Sequence, residues 1–164
     1  MPILDKNALD FISRSPEQSR RIGMRLGAVL NPGDIICLQG DLGAGKTTFV
    51  QGLAQGWGAL DSVSSPTFII VNVYRRADQS ELFHLDTYRL ESASEAAMLD
   101  LEEMIAAGPL VIEWPERIES VLPTKRLWIN LEYIDEEQRL LSFKAAGSYY
   151  QKMIENLRQS AFGA

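Results

Sequence analysis

The feature that most constrains the fold is the segment GDLGAGKTTF at positions 40–49. It satisfies the pattern G-x-x-x-x-G-K-[ST], in which glycines allow a tight turn whose backbone N–H groups converge on one point. The segment before it, DIICLQ, is a short apolar run typical of a buried strand, and the segment after it, TTFVQGLAQGW, has helical periodicity. A strand, a glycine-rich loop and a helix in this order predict a phosphate-binding loop.

Each part of the loop has an expected role in holding a nucleotide. Backbone N–H groups would surround the phosphates, Lys46 would reach the outer phosphates, and the hydroxyl of Thr47 would bind Mg²⁺. Without a ligand, we expect Lys46 to be a surface charge. The predicted nucleotide-binding residues are Gly40, Asp41, Leu42, Gly43, Ala44, Gly45, Lys46, Thr47 and Thr48.

The helices of the chain are indicated by capping and stop signals. Ser15 is a candidate N-cap with Gln18 completing a capping box, and Ser92 or Ser94 would cap a helix that ends at Gly108. In the helix after the loop, Gly56 and Gly58 supply stop signals, and one face is apolar: Phe49, Val50, Leu53 and Trp57. The segment PERIESVLP predicts one or two short helical turns, and SYYQKMIENLRQ predicts a closing helix.

Two hairpins are predicted by β-branched and aromatic segments with polar connections. The first joins VSSPTFIIVNVYRR to ELFHLDTYRL, and the second joins RLWINLEYI to RLLSFKAA. Together with the loop unit, these elements predict an α/β fold: a single P-loop NTPase-like domain over residues 1–164, with a mixed, mostly parallel central sheet flanked by helices.

Composition restricts the possible partners and compartment. A net charge of −6 and a pI near 4.8 argue against a broad nucleic-acid surface of the protein's own, DNA included. No apolar run approaches a membrane span, and the start MPILDKNALDF carries no secretory signal. The single cysteine, Cys37, permits no internal disulfide or cysteine metal cluster and is expected to be a small apolar filler in a strand. These observations favour the cytoplasm.

Carboxylates are needed beside such a loop to hold the metal ion or its water. Asp86 and Glu113 each end an apolar strand and are the candidates, with the division of roles left open. His84, the only histidine, would share a strand face with Asp86 and is either a packed, hydrogen-bonded side chain or a catalytic one. Alternation sends Trp114 to the side opposite Glu113, as core or as an aromatic lid.

The four segments GDLGAGKTTF, SPTF, HLDTYRL and EWPE, in this order within a short chain, resemble the bacterial TsaE family, also called YjeE. The resemblance runs from about Ser15 to Arg139. It implies an ATPase needed for threonylcarbamoyladenosine formation on tRNA, which binds the proteins TsaD and TsaB and whose ATP hydrolysis permits repeated turnover. Contact with tRNA would come only indirectly, through that complex.

The same resemblance assigns site residues to this chain. Ser65 to Phe68 would form a switch-like segment in which Thr67 is a candidate catalytic residue. Asp86 and Glu113 would be catalytic, and with Thr47 they would hold Mg²⁺, Glu113 making the first metal contact. The motif around Asp86 is completed by His84, Tyr88 and Arg89. Arg139 resembles an arginine of the family's late strand.

Two other classes of protein carry the same loop. A small-molecule kinase would need an arginine-bearing lid and an acceptor pocket; Arg75, Arg76 and Arg89 could serve, but no glycine-flanked lid segment is visible. A GTPase switch would carry an N-K-x-D element and an aspartate with glycine three positions later, and neither occurs.

Overall fold

The computed structural model describes residues 5–63, 71–90, 94–95 and 99–162. In this part of the chain the strands are β1 (Ala8–Ser13), β2 (Ile35–Gln39), β3 (Val71–Arg75), β4 (Glu81–Asp86), β5 (Leu110–Glu113), β6 (Arg126–Tyr133) and β7 (Arg139–Ala146). The α-helices are α1 (Pro16–Gly27), α2 (Lys46–Trp57), α3 (Leu101–Ala107) and α4 (Ser148–Phe162). Short 3₁₀ turns at Pro115–Arg117 and Glu119–Val121 confirm the turns expected after β5. Among the described helices, none has the length and apolar character needed to cross a membrane.

All seven of these strands form one sheet in the order β1-β7-β6-β2-β5-β4-β3. The four strands β6, β2, β5 and β4 are parallel neighbours. The pairs β1–β7, β6–β7 and β3–β4 are antiparallel, so both expected hairpins are present. Because β7 is antiparallel to both β6 and β1, β1 runs in the same direction as the four parallel strands. The prediction of an α/β fold with a mixed, mostly parallel central sheet flanked by helices is confirmed.

The strand before the loop is apolar on both faces because both faces of the sheet are covered. Ile36 and Leu38 of β2 join the hydrophobic core beneath α1, α2 and α4. Ile35 and Cys37 face the other way, into a second core that includes α3. This burial fixes β2 in the middle of the molecule, so the loop that follows it starts from a rigid strand.

Helix α1 begins where its capping signal predicts. The Ser15 hydroxyl oxygen accepts a hydrogen bond of 3.2 Å from the backbone N–H of Gln18. The Gln18 side chain accepts one of 2.7 Å from the N–H of Arg14, one residue before the N-cap. The reciprocal half of the capping box is therefore displaced by one residue, and both donors are still satisfied.

Helix α3 is shorter than the sequence predicts. It begins at Leu101, and Asp100 before it has a left-handed φ of 53°, which an α-helix does not continue through. Ser94 and Glu95 are themselves helical but lie too far upstream to cap α3, so the predicted helix is interrupted before Leu101, and Ser92 lies outside the described residues. The end of the predicted helix is confirmed, because Gly108 follows Ala107 directly.

Helices α1 and α2 approach each other through glycines. A Cβ added at Gly27 would lie 1.9 Å from the carbonyl oxygen of Leu53, and one at Gly56 would lie 2.0 Å from that of Met24. A Cβ at Gly52 would lie 2.1 Å from the carbonyl oxygen of Arg20, and one at Gly23 would lie 2.5 Å from that of Phe49. The expectation that Gly56 ends α2 is wrong: this glycine is a contact residue. The left-handed Gly58, with a φ of 104°, follows the last residue of the helix.

We predict that Cys37 is unreactive in the folded protein. It is fully buried in β2, as expected of an apolar filler, and burial raises the pKa of its thiol to about 12. The thiolate is the nucleophile that attacks a maleimide, so labelling should require global unfolding. Mass spectrometry should find no adduct in native buffer and one adduct per chain in denaturant. Rapid labelling in native buffer would show instead that β2 opens locally.

Candidate functional site

The predicted phosphate loop connects β2 to α2 at the carboxyl edge of the parallel strands. Gly43 and Gly45 have φ values of 83° and 98°, a left-handed conformation that favours glycine. The N–H of Ala44 donates to the carbonyl of Asp41 at 3.0 Å, which closes the turn. Helix α2 begins directly after Gly45, so its first free N–H groups and positive dipole end face the loop. This arrangement suits an anionic ligand.

An arginine from the far end of the chain holds the loop in shape. Arg139, the first residue of β7, donates from Nε to the carbonyl of Ala44 and from Nη2 to that of Gly43, both at 3.1 Å. Its Nη1 donates to the carbonyls of Asp135 and Gln138. The resemblance singles out Arg139, but these contacts have no local sequence signal. Each guanidinium nitrogen donates to backbone oxygen, so Arg139 ties the loop to the β6–β7 hairpin.

Lys46 is not the surface charge that the sequence suggests. Its side chain is 6% exposed, and its Nζ has no hydrogen-bond partner among the described residues. Burial lowers the pKa of Lys46, and the negative charges of Glu113 and Asp86 act in the opposite direction. The ammonium group lies 3.7 Å from the centre of the Trp114 ring. A buried cation without a hydrogen-bonded partner is costly, so the site favours a ligand that brings negative charge.

The two candidate acids lie side by side next to the loop. Asp86 and Glu113 are register partners across β4 and β5, and Glu113 is also paired with Leu38 of β2. Burial raises the pKa of Asp86, the N–H of Tyr88 lowers it, and the charge of Glu113 raises it further. The geometry therefore brings together the two carboxylates that sequence reasoning selected from different segments.

His84 adopts the hydrogen-bonded alternative of the two that the sequence leaves open. It is buried in β4, its Nδ1 lies 2.9 Å from the hydroxyl of Tyr74, and its Nε2 lies 2.6 Å from Oε2 of Glu113. It has no exposed edge toward the loop. Its direct contact with the site is the hydrogen bond to Glu113.

Strand alternation predicts that Trp114 lies on the side of the sheet opposite Glu113, but the structure places it at the site. Strand β5 ends at Glu113, and Trp114 has a left-handed φ of 59°, so the alternation stops one residue before it. Its ring contacts Lys46 on one side and lies 4.9 Å from the ring of Tyr88. The lid alternative therefore fits the structure better than the core alternative.

A cleft of about 670 Å³ borders the loop. It is lined by residues 39–44, by Trp114 and Glu116, and by residues 130–133 of β6. Thr47 and Thr48 are partly buried in the first turn of α2. Thr67 and the rest of the segment Ser65 to Phe68 lie outside the described residues.

The described residues fit a Mg²⁺–nucleotide better than a metal ion alone. No group of three or more His, Cys, Asp or Glu among them could hold a metal by itself. Mg²⁺ is usually held by one or two carboxylates, waters and substrate phosphates. Asp86, Glu113 and the Thr47 hydroxyl could supply the protein ligands, while phosphate oxygens would satisfy Lys46 and the free N–H groups of α2.

The fluorescence of Trp114 should report nucleotide binding. Because its ring contacts the Lys46 ammonium, a ligand that draws this group away should change the ring's emission. Trp57 is buried in α2 and Trp128 is hydrogen-bonded to Gln39, so both should respond less. We expect Trp114→Phe to remove most of the ADP-induced signal, with Trp57→Phe and Trp128→Phe as controls. A full signal in Trp114→Phe would place the reporter elsewhere.

Comparison with known proteins agrees with the resemblance seen in the sequence. Residues 13–141 match the family model described as "Threonylcarbamoyl adenosine biosynthesis protein TsaE". The tRNA threonylcarbamoyladenosine biosynthesis protein TsaE of Bacillus subtilis is 40% identical over 143 residues, which cover 87% of this chain and 89% of that protein. The TsaE protein of Nostoc sp. is 41% identical, covering 83% of this chain and 88% of its own.

A solved structure has the same fold over nearly the whole chain. The crystal structure titled Bacillus subtilus YdiB superimposes with a TM-score of 0.78 at 32% sequence identity. The match covers 98% of this chain and 99% of that one. The fold is therefore shared with a protein whose structure has been determined experimentally.

Proposed function

The chain belongs to the family of threonylcarbamoyl adenosine biosynthesis proteins TsaE, and on that premise we propose that it is a Mg²⁺-dependent ATPase. It acts with the proteins TsaD and TsaB in forming threonylcarbamoyladenosine on tRNA, and its ATP hydrolysis permits repeated turnover. The single observation that carries the ATPase proposal is Lys46. A buried ammonium without a described hydrogen-bond partner, at the start of a helix beside a glycine loop, suits the outer phosphates of a nucleotide.

In this proposal the chain's own groups have separate tasks. The N–H groups of the loop bind the phosphates, and Lys46 orients the terminal one. Glu113 and the Thr47 hydroxyl would hold Mg²⁺, which would neutralise phosphate charge. Asp86, one strand further out, would assist in holding the metal ion through water or would orient the attacking water. Trp114 covers the phosphate side of the site and excludes bulk water.

Few arginines are placed for the transition state in the part of the chain that the structure describes, which supports a slow reaction without partners. Phosphoryl transfer is accelerated by positioned positive charge around the terminal phosphate. Arg139 is the arginine that contacts the loop, and its three nitrogens already donate to backbone carbonyls. Arg117 lies over the ring of Tyr88, with its guanidinium carbon 5.1 Å from the ring centre. A partner protein would have to supply or reposition a cation.

The charge of the chain supports an indirect contact with tRNA. With a net charge of −6, the protein has no general excess of Lys and Arg with which to neutralise many phosphates. In the proposed assembly, TsaD and TsaB provide the contact with tRNA, and no membrane or DNA takes part.

The direct test is ATP hydrolysis by the purified protein with and without TsaD and TsaB. We expect slow hydrolysis alone and a clear acceleration in the complex. A parallel assay against nucleosides and sugar acids without partners tests the small-molecule kinase alternative. Transfer of phosphate to such an acceptor, or a fast rate that TsaD and TsaB leave unchanged, would contradict the proposal.

The two acids should fail in different ways when neutralised. Glu113→Gln should raise the Mg²⁺ concentration for half-maximal activity at least about tenfold, because about 1.4 kcal/mol suffices for that factor and a neutral carbonyl is a weaker ligand for a hard cation. Asp86→Asn should keep Mg²⁺–ATP binding and lower kcat about 100-fold, as expected for loss of proton transfer or water orientation.

Titrating Mg²⁺ against the partner-stimulated ATPase rate measures both effects. Glu81→Gln, a charge change at the opposite end of β4, is the matched control and should behave as wild type. A higher Mg²⁺ requirement in Asp86→Asn alone would show that Asp86, and not Glu113, is the metal ligand. If both variants give the wild-type Mg²⁺ titration curve, these two acids do not form the metal site.

A further inference from the structure

A chain of hydrogen bonds runs through the interior from β3 to the candidate site. The Tyr74 hydroxyl lies 2.9 Å from Nδ1 of His84, and Nε2 of His84 lies 2.6 Å from Oε2 of Glu113. All three side chains are at least nine-tenths buried, with exposures of 3%, 1% and 5%. They come from three neighbouring strands, β3, β4 and β5. The chemistry proposed for the site uses Glu113 but leaves Tyr74 and His84 without a role.

With an ionised Glu113, the contacts place a proton on Nε2 of His84. An ionised carboxylate can only accept hydrogen bonds, so the 2.6 Å contact with Glu113 requires a proton on Nε2. In a neutral imidazole Nδ1 is then an acceptor, and the Tyr74 hydroxyl must be its donor. Burial raises the pKa of Tyr74, so this hydroxyl keeps its proton at neutral pH. Both ring nitrogens of His84 thus have a complementary partner.

We propose that His84, anchored by Tyr74, is a positioning residue that holds Oε2 of Glu113 through its Nε2–H and leaves Oε1 as the oxygen that serves the nucleotide's metal ion or the attacking water. This role rests on the proposed ATPase function. A fixed imidazole behind a ligating carboxylate restricts its rotation and prevents both oxygens from turning to the metal together. Partners that orient a ligand in this way typically change metal affinity or activity about 10–100-fold when they are removed.

The hydrogen-bond chain can be tested without nucleotide, metal or activity. Because His84 is the only histidine, protein labelled with ¹⁵N-histidine gives one pair of ring signals. A long-range ¹H–¹⁵N correlation spectrum of the nucleotide-free protein should show a proton bonded to Nε2. Tyr74→Phe should shift the Nδ1 signal, because its hydrogen-bond partner is lost. An Nε2 without a proton would overturn the proposal.

The positioning role is tested by comparing His84→Gln with His84→Leu. A glutamine can still donate an N–H toward Glu113, whereas leucine fills the space without a donor. Measured with TsaD and TsaB, His84→Leu should lower kcat by roughly 10–100-fold with little change in the KM for ATP, and His84→Gln should recover most of that loss. Equal losses in the two variants, or a rise in KM with kcat unchanged, would overturn the proposal.

Two controls separate this outcome from misfolding and from failure of the ATPase proposal. Tyr150→Phe removes another buried hydrogen bond, that of 2.9 Å from the N–H of Ile35 to the Tyr150 hydroxyl, at the end of β2 opposite the loop, and should leave kcat unchanged. Tyr74→Phe retains the ring of the anchor and provides a folded test if a His84 variant does not fold; it should lower kcat less than His84→Leu does, and an unchanged kcat would overturn the role. An inactive wild-type protein would contradict the ATPase, while the histidine spectrum would still decide the hydrogen-bond chain.

Discussion

Lys46→Met is expected to lower the affinity for ATP by about 100-fold or more, equivalent to roughly 3 kcal/mol of binding free energy. The lysine is the buried cation at the start of α2, and methionine retains most of its aliphatic stem but no charge. Isothermal titration calorimetry with Mg²⁺–ATP measures the loss directly. A variant that binds ATP as tightly as wild type would remove the basis of the proposed function.

The same substitution should leave the nucleotide-free protein nearly as stable as wild type. Removing the ammonium relieves an unsatisfied buried charge, which costs about 1–3 kcal/mol, but it also removes a cation–π contact with Trp114 worth up to about 2 kcal/mol. These effects oppose each other, so we expect a net change in unfolding free energy below about 1 kcal/mol. Lys152→Met, an equal charge change on the exposed face of α4, is the matched control and should bind ATP normally.

Gly27→Ala is expected to destabilise the fold by about 2–3 kcal/mol, although helix propensity alone predicts a gain of about 1 kcal/mol. The new methyl group would lie 1.9 Å from the carbonyl oxygen of Leu53, which belongs to a backbone that cannot rotate away. Helices α1 and α2 would have to separate, and their shared core with β2 would lose contact. A chain of this length should then show a melting temperature lower by roughly 5–10 °C.

The control for this prediction lies on the same pair of helices. Gln55→Ala changes an exposed residue of α2 next to Gly56 and should alter the unfolding free energy by less than about 0.5 kcal/mol. Thermal unfolding of both variants, followed by circular dichroism, measures the difference. If Gly27→Ala is as stable as wild type, the two helices do not approach each other as closely as the structure indicates.

The sequence predicts the loop and its carboxylates well because both depend on local patterns. Glycines that require positive φ, an apolar strand before them and a helix after them identify the loop at Gly43 and Gly45. Asp86 and Glu113 each end an apolar run, and the carboxyl ends of parallel strands meet at one edge of a sheet. The parallel sheet that the sequence predicts is therefore enough to place both acids at the edge where the loop lies.

The features that the sequence does not predict depend on contacts between distant segments. The burial of Lys46 depends on Trp114, whose left-handed backbone ends the alternation that the prediction assumed. A glycine near the end of a helix usually indicates a stop, but α2 continues through Gly56. The close approach of α1 explains why a glycine is needed there. The donors of Arg139 reach carbonyls 95 and 96 residues away in sequence, a pairing for which neither segment carries a pattern.

The contact between Arg139 and the loop has a consequence for synthesis on the ribosome. When residues 40–48 have emerged, the side chain that holds their carbonyls has not yet been translated, and neither has β6, the strand that flanks β2 on that side. A nascent chain lacking its last quarter therefore has the complete phosphate-binding sequence without the guanidinium that fixes its conformation. Ligand binding should thus begin only at a late stage of biosynthesis, which makes a stalled or truncated product a poor competitor for the cell's nucleotides.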